Sequence, residues 1–282
     1  MEIRTITANG IDFGYLTMGE GPLALCLHGF PDTAHTWRHL LPELAERGYR
    51  AVAPFMRGYA PTSIPADGAY EAGALIADAC ALHEALGGDG DAVLIGHDWG
   101  AVPVYGATAF APRRWRKAVA MAVPPVEAML TTFFDYEQLK RSFYIFLFQT
   151  GLAETAASRD GFIASLWRDW SPGYDASRDV ELVRRSLGDP ANLAAAIGYY
   201  RAMLGTVPPT GRYAAEQAAT GREVPILYLH GLQDGCLGVE AVKPVAEFLP
   251  PGSRVEHVSG AGHFLHLERP REVNDLILDW LA

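Results

Sequence analysis

The stretch Ala92-Val93-Leu94-Ile95-Gly96-His97-Asp98-Trp99-Gly100-Ala101 decides the fold. Its first four residues are an apolar run that reads as a buried strand, and residues 101–110 read as a helix. Between them, Gly96-His97-Asp98-Trp99-Gly100 has the glycine spacing of a nucleophile elbow, a sharp strand-to-helix turn that presents one side chain. The flanking glycines let two backbones approach closely and relieve strain at the central residue. Serine is the commoner residue at that centre, but here it is Asp98. A carboxylate attacks a saturated carbon without first losing a proton. Asp98 therefore points to alkyl transfer onto the enzyme followed by hydrolysis, rather than to acyl transfer.

Working outward from the elbow, the chain alternates strand and helix patterns. Residues 3–7 and 11–16 read as strands around Asn9-Gly10, a hairpin signal. Further strands are expected at residues 23–27, 49–53, 92–95, 117–123, 224–229 and 255–258. Helices are expected at 36–47, 71–86, 101–110, 239–248 and 271–281. The loop 57–68 is rich in Gly and Pro, and Gly87-Gly88-Asp89-Gly90 ends the helix before the elbow. Alternation of this kind implies an α/β fold, with a mostly parallel eight-stranded sheet flanked by helices. Pro124-Pro125 interrupts it. From there to about residue 222 the pattern is helical and aromatic-rich, which reads as a helical cap inserted after the sixth strand. The expected division is a core of residues 1–124 and 223–282 and a cap of residues 125–222.

At 282 residues and 49% hydrophobic composition, the chain can bury a large core. Its net charge is -10 and no Lys/Arg cluster stands out, so neither nucleic acid nor an anionic membrane is expected as a partner. Cys26, Cys80 and Cys236 are odd in number and widely spaced, which fits inert, reduced thiols in a cytoplasmic protein better than a disulfide framework or a zinc site. Met1-Glu2-Ile3-Arg4 has no apolar leader pattern, and no run of about twenty apolar residues is present.

Two further residues complete a catalytic set in the chain order that this elbow architecture uses: nucleophile, acid, histidine. Asp234 lies in Gly231-Leu232-Gln233-Asp234-Gly235, just past a strand. His263 lies in Gly260-Ala261-Gly262-His263-Phe264, just past the last one. Catalytic groups of open α/β sheets sit at these carboxyl ends. His263 would take a proton from water attacking the Asp98 ester, and Asp234 would hold the imidazole tautomer and its charge. The oxyanion needs backbone donors. Trp99 N–H follows from the elbow, and Phe30 N–H from the loop after the third strand.

With these residues in place, the chain resembles the α/β-hydrolases of the epoxide hydrolase and haloalkane dehalogenase group. His28-Gly29-Phe30-Pro31 is similar to the H-G-x-P oxyanion motif of epoxide hydrolases, and Gly96-His97-Asp98-Trp99-Gly100-Ala101 to their nucleophile motif. The resemblance implies two cap tyrosines that hydrogen-bond the epoxide oxygen and supply its proton. Tyr144 in Tyr144-Ile145-Phe146-Leu147-Phe148-Gln149 matches the first, and Tyr200 in Tyr199-Tyr200-Arg201 the second, with Tyr199 as the neighbouring alternative. A departing alkoxide needs such a donor and a halide does not. The family's loop after the fourth strand usually carries an acid where Phe55 stands and a glycine where Ala60 stands. Some dehalogenases place the triad acid after the sixth strand, where Glu127 stands here.

The implied activity is addition of water to a small to medium-sized apolar epoxide, giving a vicinal diol, with neither cofactor nor metal, by a monomer or homodimer. Haloalkane dehalogenation, with Trp99 as halide donor helped by Trp167 or Trp170, is the alternative chemistry. A non-catalytic ligand-binding member of the fold is the alternative of another class. A carboxylester hydrolase is disfavoured because the elbow lacks serine or cysteine. In their simplest reading Trp167 and Trp170 pack the cap, His28 braces the oxyanion loop, and His97 packs or hydrogen-bonds locally.

Overall fold

Asn9 and Gly10 both adopt positive φ, and this two-residue turn pairs β1 (Arg4–Ala8) with β2 (Ile11–Met18) antiparallel, Ala8 opposite Ile11. The computed structural model describes residues 2–282; Met1, first in the stretch read for a leader, lies outside them. The other strands are β3 (Leu23–Leu27), β4 (Arg50–Pro54), β5 (Val93–His97), β6 (Lys117–Met121), β7 (Ile226–Gly231) and β8 (Arg254–Val258). All eight form one sheet in the order β1-β2-β4-β3-β5-β6-β7-β8. Only the two pairings made by β2 are antiparallel. β3, β5 and β7 are buried throughout, as continuous apolar strands covered on both faces must be.

Two expected helices are broken, each by a proline. Residues 36–47 form a 3₁₀ turn (Ala34–Arg38) and then α1 (Leu40–Glu46). Pro42 has no N–H for the Arg38 carbonyl and its ring would clash there, so the helix restarts instead of running through. Residues 239–248 split in the same way around Pro244, into Val239–Val242 and Val245–Phe248. α2 (Ala72–Ala85) and α3 (Ala101–Phe110) lie within two residues of their expected bounds.

Between β6 and β7 the described residues contain helices and no strand, from Val126–Leu130 to Ala214–Gln217. This helical segment is anchored to the loop after β4. Tyr199 Oη donates to the Arg57 carbonyl at 2.8 Å, and Ser186 and Ala60 exchange hydrogen bonds. Arg57 is itself buried and clamped by both oxygens of Asp78 at 2.6 Å. Phe55, the departure from the family's acid, is buried with its ring edge-on to His35. No helix among the described residues is long and apolar enough to cross a membrane.

Candidate active site

Asp98 sits at the tip of β5 with φ +53°, a left-handed conformation that a non-glycine residue adopts only when its surroundings impose it. Those surroundings are backbone packed on backbone. A Cβ on Gly96 would run into the Gly100 carbonyl, and one on Gly100 into the Leu27 carbonyl of β3. The turn therefore lies flush against the loop after β3. There Phe30 N–H donates to Asp98 Oδ1 at 2.7 Å. The other oxygen, Oδ2, lies 3.3 Å from His263 Nε2, off the line of a good hydrogen bond.

His263 is positioned by three segments. Its N–H donates to the Trp170 carbonyl at 3.0 Å, and that same carbonyl accepts from Gly235 N–H at 3.1 Å. His97 Nε2 donates to the His263 carbonyl at 2.8 Å. The Trp170 ring stands edge-on to the imidazole, centroids 5.1 Å apart. His263 Nδ1 contacts Asp234 Oδ2 at 2.9 Å, while Asp234 Oδ1 accepts from Cys236 N–H at 2.7 Å and Leu237 N–H at 2.9 Å. Burial alone would strip the imidazole of its proton. The Asp234 and Asp98 carboxylates outweigh it and push the His263 pKa up to about 10. Burial also works against the Asp234 charge, yet the His263 imidazole and the amide donors hold its pKa below the usual carboxylate value.

Facing Asp98 is a cavity of about 900 Å³, within the range of small-molecule sites. Asp98, Trp99, Tyr144, Tyr200 and Cys236 line it together with apolar groups such as Met129 and Phe133. The Tyr144 and Tyr200 rings meet edge to face, centroids 5.5 Å apart. Tyr144 Oη lies 3.5 Å from Cys236 Sγ. Tyr200 Oη is buried and has no hydrogen-bond partner in the protein. Burial raises the pKa of both phenols, so both keep their protons at neutral pH. Tyr199 differs from its neighbour, because its hydroxyl is already engaged by the Arg57 carbonyl.

The structure thus brings together Asp98, Asp234, His263, Phe30, Trp99, Tyr144 and Tyr200. Of the two acids considered, Asp234 is the one in contact with His263, whereas Glu127 lies exposed at the cavity rim. His28 accepts from Met56 N–H at Nε2 and contacts the Gly29 carbonyl through Nδ1, which leaves it no free nitrogen for proton transfer. Trp167 Nε1 donates to the Pro31 carbonyl, and its ring stacks on Phe264, so its N–H is unavailable to a leaving halide. Sequence reasoning set Cys236 aside with the other thiols, yet it lies in the cavity against Tyr144; its place two residues after Asp234 was the available signal. Burial and the nearby Asp234 and Asp98 carboxylates hold that thiol protonated. Trp170, expected to pack the helical segment or, in the halide alternative, to help Trp99, ties the Asp234 and His263 loops together through its backbone carbonyl.

Among the described residues, two groups of potential donor atoms each lie within 4.8 Å of one another: Asp234, Cys236 and His263 in the candidate site, and Asp32, His97 and His266.

An aspartate elbow at the end of a central strand of such a sheet, joined to an Asp–His pair in the loops after β7 and β8, defines a hydrolase architecture. The chain belongs to the α/β-hydrolase fold family, whose sequence pattern matches residues 22–270. Epoxide hydrolases are among its relatives. It is 30% identical to Epoxide hydrolase A of Mycobacterium tuberculosis, covering 99% of this chain and 97% of that protein. It is 32% identical to Epoxide hydrolase 3 of Xenopus tropicalis, covering 97% of this chain and 75% of that one. The epoxide hydrolase of Bacillus megaterium, solved in complex with an inhibitor, superposes with a TM-score of 0.82 at 28% identity over 99% of both chains.

Proposed function

We propose that this chain adds water to an epoxide to give a vicinal diol, through a covalent ester on Asp98. One arrangement carries the proposal: a carboxylate with one oxygen held by a backbone N–H and the other free, facing two protonated phenols, one of them unpartnered. Asp98 Oδ1 rests on Phe30 N–H, which leaves Oδ2 as the attacking atom. As the epoxide C–O bond breaks, Tyr144 and Tyr200 hydrogen-bond the oxygen and give it a proton. The relatives named epoxide hydrolases and the matching motifs favour the same chemistry.

The charges balance over the cycle. The resting site holds an imidazolium between two carboxylates. Esterification removes the Asp98 charge, so His263 is held less tightly protonated and its proton can make good the one lost by the tyrosines. Neutral His263 then takes a proton from water as that water attacks the Asp98 carbonyl carbon. Phe30 N–H, already on Oδ1, and Trp99 N–H serve the oxyanion. The tetrahedral intermediate expels the diol oxygen, which takes the remaining proton of the attacking water, so Asp98 is left as a carboxylate beside the restored imidazolium and the diol is released. Asp234 fixes the tautomer throughout.

We read residues 125–222 as a cap that closes the cavity over the core formed by 1–124 and 223–282. The apolar lining suits small to medium-sized apolar epoxides, and the reaction needs no cofactor. The three buried, unpaired thiols suit a reducing compartment such as the cytoplasm.

The test is a single turnover of styrene oxide in heavy-oxygen water, with mass spectrometry of the product and of the peptide containing Asp98. The expected result is unlabelled diol in the first turnover, with the label in Asp98. Labelled diol with an unlabelled Asp98 would overturn the ester mechanism. Absence of diol, with bromide released from a bromoalkane, would replace the reading with dehalogenation.

A further inference from the structure

We propose that Glu268, acting through the Ser171 hydroxyl, is a positioning residue for the hydrolytic half of the reaction: together they hold the loop that sets where His263 Nε2 stands. The inference rests on the two-step reading of the site. Neither residue lines the substrate cavity, so neither touches the reacting atoms.

Three consecutive amides carry His263, and all three end on Trp170, Ser171 or Glu268. Gly262 N–H donates to Glu268 Oε2 at 2.8 Å. His263 N–H takes the Trp170 carbonyl, and Phe264 N–H donates to Ser171 Oγ at 3.1 Å. The Ser171 hydroxyl in turn donates to Glu268 Oε1 at 2.6 Å, so the carboxyl group bridges the loop and the helical segment. Ser171 is fully buried, which keeps water from competing for its bonds. The approach is too close for a side chain: a Cβ on Gly262 would stand 2.5 Å from the Trp170 carbonyl oxygen and 2.7 Å from Ser171 Cα. The next residue, Arg269, donates from Nε to the Gly260 carbonyl at 3.0 Å, so neighbouring side chains grip the turn at two points. Burial raises the Glu268 pKa, and the Ser171 hydroxyl and Gly262 N–H pull against that rise.

His263 is thus fixed twice, at ring Nδ1 by Asp234 and along its backbone by these amides. Together the two fixings leave Nε2 3.3 Å from Asp98 Oδ2, beside the carbon that water must attack. The first half of the reaction asks little of this placement. Asp98 is held by Phe30 N–H, and the epoxide oxygen takes its proton from the tyrosines. The second half needs Nε2 within hydrogen-bond reach of the attacking water, where a shift of about 1 Å costs up to about a hundredfold. Removing the Glu268 carboxyl group leaves Gly262 N–H and the Ser171 hydroxyl without their acceptor, and each unmet buried group then pulls the loop toward another partner. Asp234 still holds the ring, so His263 is displaced rather than released. A contact that served stability alone would loosen both halves of the reaction alike.

The test is a rapid-quench turnover of styrene oxide by the full chain, following the Asp98 ester by intact mass and the diol by chromatography, for wild type, Glu268→Ala and Glu268→Gln. In Glu268→Ala the ester should form within about threefold of the wild-type rate and clear about ten- to a hundredfold more slowly, so that it accumulates. Glu268→Gln keeps an acceptor for Gly262 N–H and offers Ser171 an amide partner, so clearance should return to within about fivefold of wild type. An ester level in Glu268→Ala no higher than in the wild type overturns the proposal, as does equal slowing of formation and clearance, or a Gln variant no faster than Ala. If Glu268→Ala does not fold, Ser171→Ala is measured in its place, with the same split expected and the same outcomes against it. Failure of heavy-oxygen label to enter wild-type Asp98 overturns the reading of the active site and this inference with it. Label in wild-type Asp98 with normal clearance in the variants removes this inference alone.

Discussion

The two walls of the cavity are built on opposite plans. On the sheet side nearly every polar atom is answered: Asp234 accepts two amide N–H groups and faces His263, and Phe30 N–H holds one Asp98 oxygen. On the helical side Tyr200 Oη has no partner and Tyr144 Oη has only the weak Cys236 thiol. A satisfied network in a buried site is rigid, and an unsatisfied hydroxyl is costly unless something else completes it. The contrast teaches that the sheet side stores the geometry of the attack, while the helical side keeps a hydrogen-bonding capacity that only substrate fills.

The largest effect is expected on the stored side. Asp98→Ala removes the attacking atom, and diol formation should fall by at least about three orders of magnitude, with no label entering the peptide. His263→Gln should still form the ester and then fail to clear it, so intact-mass measurement should show the protein persistently heavier by one substrate. Turnover by His263→Gln at the wild-type rate would end the role given to that residue. Asp234→Asn should cost roughly two to four orders of magnitude by releasing the imidazole tautomer. Glu127→Gln, exposed at the rim, should leave kcat within a factor of about two. The reverse ranking would move the triad acid to the strand before the helical segment.

How much of this was legible in the chain follows the same division. The elbow and Asp234 could be read because each follows a strand whose apolar run is continuous and short; His263 follows the mixed Arg254-Val255-Glu256-His257-Val258 of β8 and was marked by its small-residue turn Gly260-Ala261-Gly262. The proline breaks at Pro42 and Pro244 were written in the sequence as well, but the surrounding apolar period masked them. The helical side was harder. Tyr199 and Tyr200 are adjacent and equally apolar, and only the packing against the Arg57 loop decides which hydroxyl is engaged. Only its closeness to Asp234 marks Cys236, and nothing local marks Trp170, whose carbonyl meets segments distant in the chain.

Those adjacent tyrosines allow the contrast to be sharpened. Tyr200→Phe removes a hydroxyl with no partner, so stability should hold or rise slightly, while kcat/KM for styrene oxide should fall by about ten- to a hundredfold. Tyr199→Phe leaves the Arg57 carbonyl unpaired and should cost about 1 kcal/mol of stability with little change in kcat. Tyr144→Phe should resemble Tyr200→Phe, and the double variant should be far worse than either, because each phenol can partly cover for the other. If Tyr199→Phe were the slower enzyme and Tyr200→Phe the less stable protein, the assignment of the pair would be reversed.

The smallest effect concerns the charge stored between the carboxylates. His263 binds its proton more tightly folded, with a pKa near 10, than unfolded, near 6.5. Its stabilising contribution is therefore complete below about pH 6.5, shrinks above that, and is lost as pH passes through about 10. The wild-type Tm should fall from pH 7 to pH 10 more steeply than that of His263→Gln, which has no such proton to lose. Asp98→Asn, with one of the two carboxylates removed, should move the decline to lower pH. Parallel curves for all three proteins would mean that the resting imidazole is neutral. The proton given to the opened epoxide would then have to come from solvent through the tyrosines rather than from the stored ion pair.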